Sequence, residues 1–539
     1  MGWVRVLGLV IAAGLLHLAL IQPNHPGAMT WGALRLFPLE LPAVLLLLVA
    51  LPRAASRPVR ALLVALLMVI IVLKLADFAM FTAFNRSFNP VADWTLATAG
   101  LRLLKGASGW LALIAAVCAA LLLFGLAAWA LWWATGRWAS LEPSGRLRPA
   151  VAFAASLAAA YAIAEIGHTT RAWQLPGNPP GTAFTARVGI EKLRTVQKTV
   201  EDLRAFEIAA QQDRWTGRKP LLDRIDTDVL IIFVESYGRS SIDVPRYATS
   251  HRATLSRAQQ ALGDAGVAMR SGYLEAPTRG GQSWLSHATL ANGLWIDGHV
   301  RHAAVLASER QSLYHLASSA GFRTAAVMPG ITLDWPEGLR MGFDTLLAAK
   351  DLGYQGQAFN WVTMPDQFTL AAMDRVFASS EGPVFAQVAL ISSHAPWVPV
   401  PKMVPWEAIG DGRVFDEMAT SGDTPEAVWR DRERVRDQYR DSVDYALQAA
   451  LGYAAKRADD PPLIVLLGDH QAAPFVAQSE SAHVPIHLIG PPEIVSLTAE
   501  WGWTQGLVPA PDAPVWRMDA FRDRFLDAFS SSIVAQGSG

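Results

Sequence analysis

Long apolar stretches fill the first third of this chain and constrain its fold more than any other feature. Five of them lie at residues 4–21, 34–51, 61–82, 108–134 and 149–166. A membrane-spanning helix needs roughly 20 apolar residues, so the second and fifth are marginal in length. At 52% hydrophobic residues the chain is too apolar for an ordinary soluble enzyme. We therefore predict an α-helical transmembrane bundle of about five helices over residues 1–167.

Arginines cluster in two of the short loops between these stretches. They are Arg53, Arg57 and Arg60 before the third stretch, and Arg137, Arg146 and Arg148 before the fifth. Cytoplasmic loops carry an excess of Lys and Arg, so both loops should be cytoplasmic. Five spans then place the rest of the chain outside the cytoplasm. We predict a multi-pass protein of the cell (inner) membrane with a periplasmic or extracellular globular domain.

Ionisable residues inside apolar stretches are costly and often functional. Lys74 and Asp77 lie three residues apart in the third stretch. They either pair with each other or bind a lipid phosphate. Residues 168–227 form a juxtamembrane linker, in which residues 188–210 have the apolar spacing of an amphipathic helix. That helix packs on the globular domain or lies on the lipid surface. Residues 228–530 form the globular domain, and 531–539 a small, polar tail.

Apolar, β-branched runs in the globular domain end in residues that bind metals or phosphates. The runs at 228–234, 383–393 and 462–468 lead into Glu235, His394 and Asp469-His470, and His483 precedes a fourth run. Such runs are typical of strands buried on both faces of a parallel sheet covered by helices. Ligands of these sheets bind at the carboxyl ends of the strands. We therefore expect Glu235, His394, Asp469 and His470 to converge on one site.

Two carboxylates and an imidazole form a mixed oxygen–nitrogen ligand set. Such a set suits Mn²⁺, Zn²⁺ or Mg²⁺. A single glutamate at a strand end is more often a helix cap or a surface charge. Here, however, three such residues, Glu235, Asp469 and His470, fall at strand ends, and the nearest Lys or Arg in the sequence is Arg239. The net charge of −1 gives no indication of a nucleic-acid partner, and the single cysteine, Cys118, excludes a disulfide framework.

A nucleophile near this metal set is expected at a helix start. Gly280-Gly281 allow a tight turn, and a helix beginning near Ser283 directs free backbone N–H groups towards its hydroxyl. A bound metal lowers the pKa of such a hydroxyl. The alternative is that Ser283 only caps the helix.

Three short motifs resemble those of the sulfatase and alkaline-phosphatase superfamily. The chain resembles in particular the lipoteichoic acid synthases, phosphoglycerol transferases with five membrane spans and an outward-facing catalytic domain. Val234-Glu235-Ser236 is similar to the first metal motif, residues 392–397 to the phosphate-binding histidine loop, and Gly468-Asp469-His470 to the last metal motif. The resemblance implies an α/β alkaline-phosphatase/sulfatase-like domain with a mainly parallel central sheet. It also implies one divalent metal ion, Mn²⁺ foremost, with the nucleophile hydroxyl as a further ligand.

The chain departs from the family pattern at the nucleophile. Lipoteichoic acid synthases and phosphoethanolamine transferases use threonine, which makes Thr278 the rival of Ser283. The sulfatase signature Cys-x-Pro-Ser-Arg aligns with Ser283 and Ser286, but Leu285 and His287 replace its proline and arginine. We therefore expect no formylglycine.

The resemblance also implies substrate contacts, which we predict at six positions. His394 binds the phosphate or donates a proton to the leaving group. Trp335 matches the headgroup tryptophan, Arg340 replaces an arginine whose position is occupied by Glu337, and His483 lines the site or holds a second metal. His287 and Arg279 stand near the nucleophile and complete the set.

The function implied is a metal-dependent phosphotransferase that moves a phosphoglycerol-type headgroup from a phospholipid to a glycan or glycolipid through a serine-linked intermediate. The alternatives are a sulfatase-family hydrolase of sulfuric esters or phosphodiesters, and a phosphoethanolamine transferase. A non-catalytic envelope scaffold is the third. The sequence leaves the oligomeric state open.

Overall fold

The computed structural model describes residues 2–84, 86–177, 179–333, 335–360, 363–378 and 382–531. The predicted tail, 531–539, lies outside the described residues apart from Ser531. The chain divides into two compact units, Met1–Leu203 and Arg204–Gly539.

The first unit is helical, as predicted. Its helices are α1 (Trp3–Ile21), α2 (Trp31–Leu34), α3 (Glu40–Ala50), α4 (Arg53–Phe84), α5 (Trp94–Ala139) and α6 (Arg148–Thr169), and α7 (Phe184–Gln211) begins in it. Helix α5 is broken at Gly109, where φ is 79°. By length and composition α1, α4, α6 and the part of α5 after Ser108 are able to cross a membrane.

The second predicted stretch is not a full-length span. It begins at the last residue of α2 and contains the 11-residue helix α3, which ends two residues before Pro52. Eleven residues rise only about 16 Å, roughly half of the hydrocarbon core. Pro52 lacks the backbone N–H that a continuing helix would need. The prediction that residues 34–51 cross the bilayer as one helix is therefore wrong.

Buried polar groups join α7 to the other helices of this unit. Asp77 forms an ion pair with Lys192 on α7, and both side chains are buried. Lys74 donates hydrogen bonds to the Leu20 carbonyl, 3.0 Å away, and to Thr185 Oγ1, 2.7 Å away. Lys74 and Asp77 therefore do not pair with each other as expected. Each contacts other groups of the protein, and Lys74 is not left open to a lipid phosphate.

Carboxylates from two helices accept hydrogen bonds at the start of α7. Glu165 accepts from the Ala183 amide and Glu40 from the Ala186 amide, each at 2.9 Å. The first N–H groups of a helix have no intrahelical acceptor, and its dipole favours negative charge there. The first part of α7 is therefore an integral part of the first unit. The expectation that this helix packs on the globular domain is confirmed for its end, where Phe206 packs with Leu285 and Ala288 of the second unit, whereas its first part contacts other helices rather than lipid.

The second unit is built on one mixed sheet. Its strands are β1 (Val229–Val234), β2 (Ala268–Glu275), β3 (Arg323–Met328), β4 (Thr345–Ala348), β5 (Val384–Leu390), β6 (Leu463–Gly468), β7 (His483–Gly490), β8 (Thr504–Gln505) and β9 (Val515–Arg517). Their order is β4-β3-β5-β1-β6-β7-β2-β8, with β9 beside β2. Strands β4, β3, β5, β1 and β6 are parallel, whereas β7 is antiparallel to both β6 and β2. The mainly parallel sheet is confirmed.

Helices cover both faces of this sheet. Those of the second unit are α8 (Ser240–Asp243), α9 (Pro245–Asp264), α10 (Ser283–Asn292), α11 (His299–Ala307), α12 (Leu313–Ser319), α13 (Glu337–Arg340), α14 (Asp366–Phe377), α15 (Asp416–Ala419), α16 (Pro425–Trp429), α17 (Arg432–Lys456), α18 (Pro474–Ala477), α19 (Pro492–Ser496) and α20 (Phe521–Phe529). Successive residues of β1 alternate between two hydrophobic clusters: Ile232 packs with α14 and α17, and Ile231 with α12 and α20. A strand buried on both faces explains the unbroken apolar run in the sequence.

The antiparallel pairs bring further chain segments to the edge where β1 and β6 end. Because β7 opposes β6, its first residue lies at that edge, and Glu275 at the end of β2 pairs with His483. The loop after β2, which leads to Ser283, therefore starts at the same edge.

Candidate functional site

Glu235, Asp469 and His470 meet at the carboxyl ends of β1 and β6. Each contributes a ligand atom, and these atoms all lie within 4.8 Å of one another. His470 Nε2 is 3.3 Å from Glu235 Oε1 and 3.6 Å from Asp469 Oδ2. All three side chains are buried. Among the described residues, no lysine or arginine forms an ion pair with them.

The backbone fixes the orientation of these ligands. Asp469 Oδ1 accepts hydrogen bonds from the amides of Ser236, at 2.8 Å, and His470, at 2.6 Å, while Oδ2 faces His470. The His470 Nδ1–H group donates to the Gln471 carbonyl at 3.1 Å. Such a bond orients a metal-binding imidazole and reserves its other nitrogen for the ligand. A Cβ on Gly468 would lie 1.8 Å from the Tyr237 carbonyl, so this close approach requires glycine.

The two buried carboxylates of this cluster need positive charge beside them. Burial opposes ionisation of Glu235, but the charge of His470 outweighs it and lowers the pKa of Glu235 to about 2. Burial and the charge of Glu235 raise the pKa of Asp469 to about 7. Burial disfavours the imidazolium of His470, yet Asp469 and Glu235 raise its pKa to about 9. Without a metal, protons on Asp469 and His470 offset the negative charge of the buried carboxylates. A divalent cation would offset it instead, so the three residues fit a metal.

The turn before α10 places Ser283 against these ligands. Gly280, Gly281 and Gln282 have φ values of 68°, 136° and 66°, a left-handed run that glycines adopt at little cost. Ser283 Oγ is 3.1 Å from Glu235 Oε2 and 3.3 Å from His470 Nε2. It stands at the N-terminus of α10, where free amides favour anionic groups.

The rival hydroxyl, Thr278, has different surroundings. Its Oγ1 is buried and, in the described part of the chain, makes no hydrogen bond. The Ser283 hydroxyl, by contrast, contacts two of the three candidate metal ligands, Glu235 and His470. The geometry favours Ser283 as the nucleophile.

The loop after β5 carries His394 beside Glu235. Ser393 Oγ donates to the Glu235 carbonyl at 2.6 Å, and the Glu235 amide donates to the Leu390 carbonyl at 3.1 Å. His394 is exposed, and its Nδ1 is 2.6 Å from the Ala395 carbonyl. The imidazole is therefore accessible to a substrate at this edge of the sheet.

A buried aspartate holds this loop in place. Asp366, at the start of α14, accepts hydrogen bonds from the amides of Ile391 and Ser392 at 2.8 and 2.9 Å, and its own amide donates to Ser392 Oγ. Burial raises the pKa of Asp366 to about 7. Sequence analysis missed Asp366, Ser393 and Gln471. The only available signal was the Pro365-Asp366 pair, which is typical of a helix start.

The remaining predicted substrate residues are dispersed. The Arg279 guanidinium donates hydrogen bonds to the backbone carbonyl and the carboxylate of Glu480. His287 is buried one turn below Ser283 and stacks on Phe233 with ring centroids 4.0 Å apart, and burial lowers its pKa to about 3. The structure therefore gives His287 a place in the core rather than on an open substrate surface. His483 is half-buried at the start of β7, and burial lowers its pKa.

Trp335 lines a separate cavity of about 520 Å³ at the β3–β4 side of the sheet. Met328, Ile331, Leu333, Leu346 and Lys350 also line it. Arg340 is exposed and is not among its lining residues. The expectation that Arg340 replaces the missing headgroup arginine has no contact to support it.

Comparison with known proteins identifies the family of the second unit. Residues 227–487, just under half of the chain, match the model of the sulfatase family. This confirms the resemblance inferred from the motifs and the prediction of an enzyme. The family fold is metal-dependent, in agreement with the ligand set formed by Glu235, Asp469 and His470. No curated protein sequence matches the chain.

Solved structures similar to the chain include two transferases and a synthase. The integral membrane lipooligosaccharide phosphoethanolamine transferase A from Neisseria meningitidis has 12% identity and a TM-score of 0.47, over 96% of this chain and 95% of that one. The lipoteichoic acid synthase LtaP from Listeria monocytogenes has 13% identity and a TM-score of 0.40, over 61% and 78%. The Streptococcus pyogenes phosphoglycerol transferase GacH has 12% identity and a TM-score of 0.35, over 62% and 91%.

Proposed function

Residues 227–487 of this chain form a sulfatase-family domain, and from that premise we propose that the protein transfers a phosphoglycerol-type headgroup from a phospholipid to a glycan or glycolipid. The observation that carries this proposal is the position of Ser283. Its hydroxyl lies within hydrogen-bond distance of both Glu235 and His470 at a helix N-terminus. A serine in this position is suited to form a covalent phosphoester.

The residues of the site have separate roles in the proposed reaction. A divalent metal held by Glu235, Asp469 and His470, with Mn²⁺ foremost and Zn²⁺ or Mg²⁺ as alternatives, would supply Lewis acidity and lower the pKa of a nearby hydroxyl. The Ser283 hydroxyl loses its proton to solvent as its oxygen attacks the headgroup phosphorus, and the phosphorus–oxygen bond to diacylglycerol breaks. His394 donates a proton to the departing oxygen.

The second step returns Ser283 to its free state. The amides at the start of α10 stabilise the anionic phosphoester on Ser283. A glycan hydroxyl, deprotonated by His394, attacks the phosphorus, the phosphorus–oxygen bond to Ser283 breaks, and the serine oxygen takes a proton from solvent. Ser283 is half-buried and His394 is exposed, which supports access of an acceptor to the attached headgroup.

Placement of the second unit outside the cytoplasm is also part of the proposal. Arg53 pairs with Glu142 at 2.6 Å, which supports one common membrane side for the loop before α4 and the loop after α5. If both basic loops are cytoplasmic, then three crossings by α4, α5 and α6 leave the following chain outside. This argument is independent of the short helix α3.

The experiment that tests the function compares two reactions of the purified protein. Phosphatidylglycerol is supplied with and without a glycan acceptor, and diacylglycerol, free glycerol phosphate and labelled glycan are quantified. A transferase should produce labelled glycan when the acceptor is present, and less free glycerol phosphate than in the reaction without it. Equal amounts of free glycerol phosphate in both reactions would instead establish a hydrolase.

A further inference from the structure

Two exposed aromatic rings, Trp429 and Phe475, lie next to each other in the second unit and have no role in the reaction proposed above. Trp429 is 44% exposed and Phe475 39%. Their ring centroids are 6.2 Å apart in an edge-to-face arrangement. Tryptophan and other large aromatic side chains are enriched at binding surfaces, because they offer a large rigid apolar area.

The loop that carries His394 holds the first ring. Trp429 stacks on Trp397 with centroids 5.7 Å apart and an interplanar angle of 1°. Its Nε1–H group donates to the Pro396 carbonyl at 3.2 Å. Trp397 is buried and follows His394 by three residues. The exposed ring of Trp429 is therefore fixed to the segment that carries the proposed proton donor.

The chain that leaves the metal ligands holds the second ring. Phe475 follows His470 by five residues, and its carbonyl accepts two hydrogen bonds from Arg436, at 3.0 and 2.8 Å. Two residues earlier, Ala473 lies against the nucleophile turn, since a Cβ on Gly280 would be 3.2 Å from the Ala473 Cα. The ring pair is thus joined to the segments that carry His394, His470 and Ser283.

Charged side chains of both signs surround the two rings. Arg436 pairs with Glu433, and Arg434 pairs with Asp423 and contacts the Ala427 carbonyl of α16. A lipid surface would favour an excess of basic residues. A pyranose ring has an apolar C–H face that stacks on an aromatic ring, and hydroxyl groups that bond to carboxylates and guanidinium groups. The mixed charges therefore favour a carbohydrate.

We propose that Trp429 and Phe475 form an acceptor platform, on which a sugar ring of the acceptor stacks and presents a hydroxyl to the headgroup attached to Ser283. This inference rests on the proposed transferase function. It assigns the acceptor to a surface of the protein and defines it as a carbohydrate.

The test uses the full-length enzyme in detergent, a phospholipid with a labelled headgroup and a soluble glucose hexasaccharide as acceptor. Diacylglycerol released without saccharide reports the first step, and labelled saccharide reports the second. Trp429→Ala and Phe475→Ala should each raise the KM for the saccharide about five- to ten-fold. Their effect on diacylglycerol release should be much smaller, so the ratio of transfer to release falls.

Two further variants separate stacking from other effects. Trp429→Phe keeps an aromatic ring and loses only the Nε1 donor, so it should retain most of the affinity for the saccharide. Leu497→Ala is the matched control, because Leu497 is 37% exposed and lies outside the platform. It should leave both steps unchanged.

Two results would overturn the platform. They are an unchanged saccharide KM in both alanine variants, and an equal rise of that KM in Trp429→Ala and Trp429→Phe. A wild-type enzyme that releases no diacylglycerol, or that releases it without labelling the saccharide, would contradict the proposed function itself. The failures of the two proposals are therefore distinguishable.

Discussion

Replacement of Ser283 by alanine removes the hydroxyl that lies 3.1 Å from Glu235 and 3.3 Å from His470. In the proposed reaction this oxygen forms a covalent bond to phosphorus, and no neighbouring group takes over that role. Loss of a covalent nucleophile leaves only the catalysis that comes from binding and electrostatics. We therefore expect turnover to fall about 10⁴-fold, which corresponds to about 5.5 kcal/mol in the activation barrier.

The same substitution should leave the fold and most of the metal site intact. Glu235, Asp469 and His470 remain, so metal should still bind, though more weakly. Thr278→Ala provides the matched control. Within the residues that the structure describes, the buried Thr278 hydroxyl has no hydrogen-bond partner, so its removal leaves no group unsatisfied and stability should change only by the loss of the methyl group. The activity of the Thr278→Ala variant should stay near that of the wild type.

The assay is release of fluorescent diacylglycerol from a labelled phospholipid by full-length protein in detergent, with metal content measured in parallel. Circular dichroism of each variant checks that it is folded. An active Ser283→Ala variant together with an inactive, folded Thr278→Ala variant would refute the assignment of the nucleophile.

Three other substitutions test separate parts of the structure. Asp469→Ala should remove metal and activity together, because a lost outer-shell partner alone costs about 10- to 100-fold in metal affinity; stoichiometric metal in the purified variant would contradict the ligand role. The pKa of Asp366 is about 7 in the folded state and near the ordinary aspartate value in the unfolded chain. The folded state therefore binds the proton more tightly, and the free energy of unfolding should fall by up to about 4 kcal/mol as pH rises from about 4 to 7. Asp366→Asn should flatten that part of the pH dependence of the thermal midpoint, and an unchanged profile would count against it. Lys192→Met leaves the buried carboxylate of Asp77 without its cation and should cost about 3–5 kcal/mol, while Asp77→Asn in the same chain should restore part of the midpoint; a loss below about 1 kcal/mol would show that the pair is weak.

The sheet and the metal ligands were predictable because burial leaves a strong signal. Strands β1, β5 and β6 are buried on both faces, so their sequences are apolar runs that only Gln387 of β5 interrupts. The rule that ligands gather at the carboxyl ends of parallel strands then placed Glu235 beside Asp469 and His470. Strand β2 was missed because its first half is only half-buried and its sequence, Ala268 to Glu275, mixes polar and apolar residues.

Features that depend on tertiary contacts were not predictable from the sequence. The burial of His287 follows from its packing on Phe233, and the engagement of Arg279 follows from the position of Glu480. Helix α7 was correctly located by its periodicity, and Phe206 near its end packs on the second unit as predicted, but the carboxylates of α3 and α6 that bind its start were not foreseen. Periodicity identifies the apolar face of a helix and does not identify the element that covers it.

Mapping of the trapped headgroup by mass spectrometry tests the central claim most directly. Full-length protein is mixed with phospholipid carrying an isotope-labelled headgroup, quenched in acid and digested with trypsin. Cleavage after Arg279 separates Thr278 from Ser283, since they fall in the peptides 271–279 and 280–301. We predict that the headgroup mass is found on peptide 280–301, localised to Ser283 by fragmentation, and is absent in Asp469→Ala. Label on peptide 271–279, or label on Ser283 that persists in Asp469→Ala, would contradict the account.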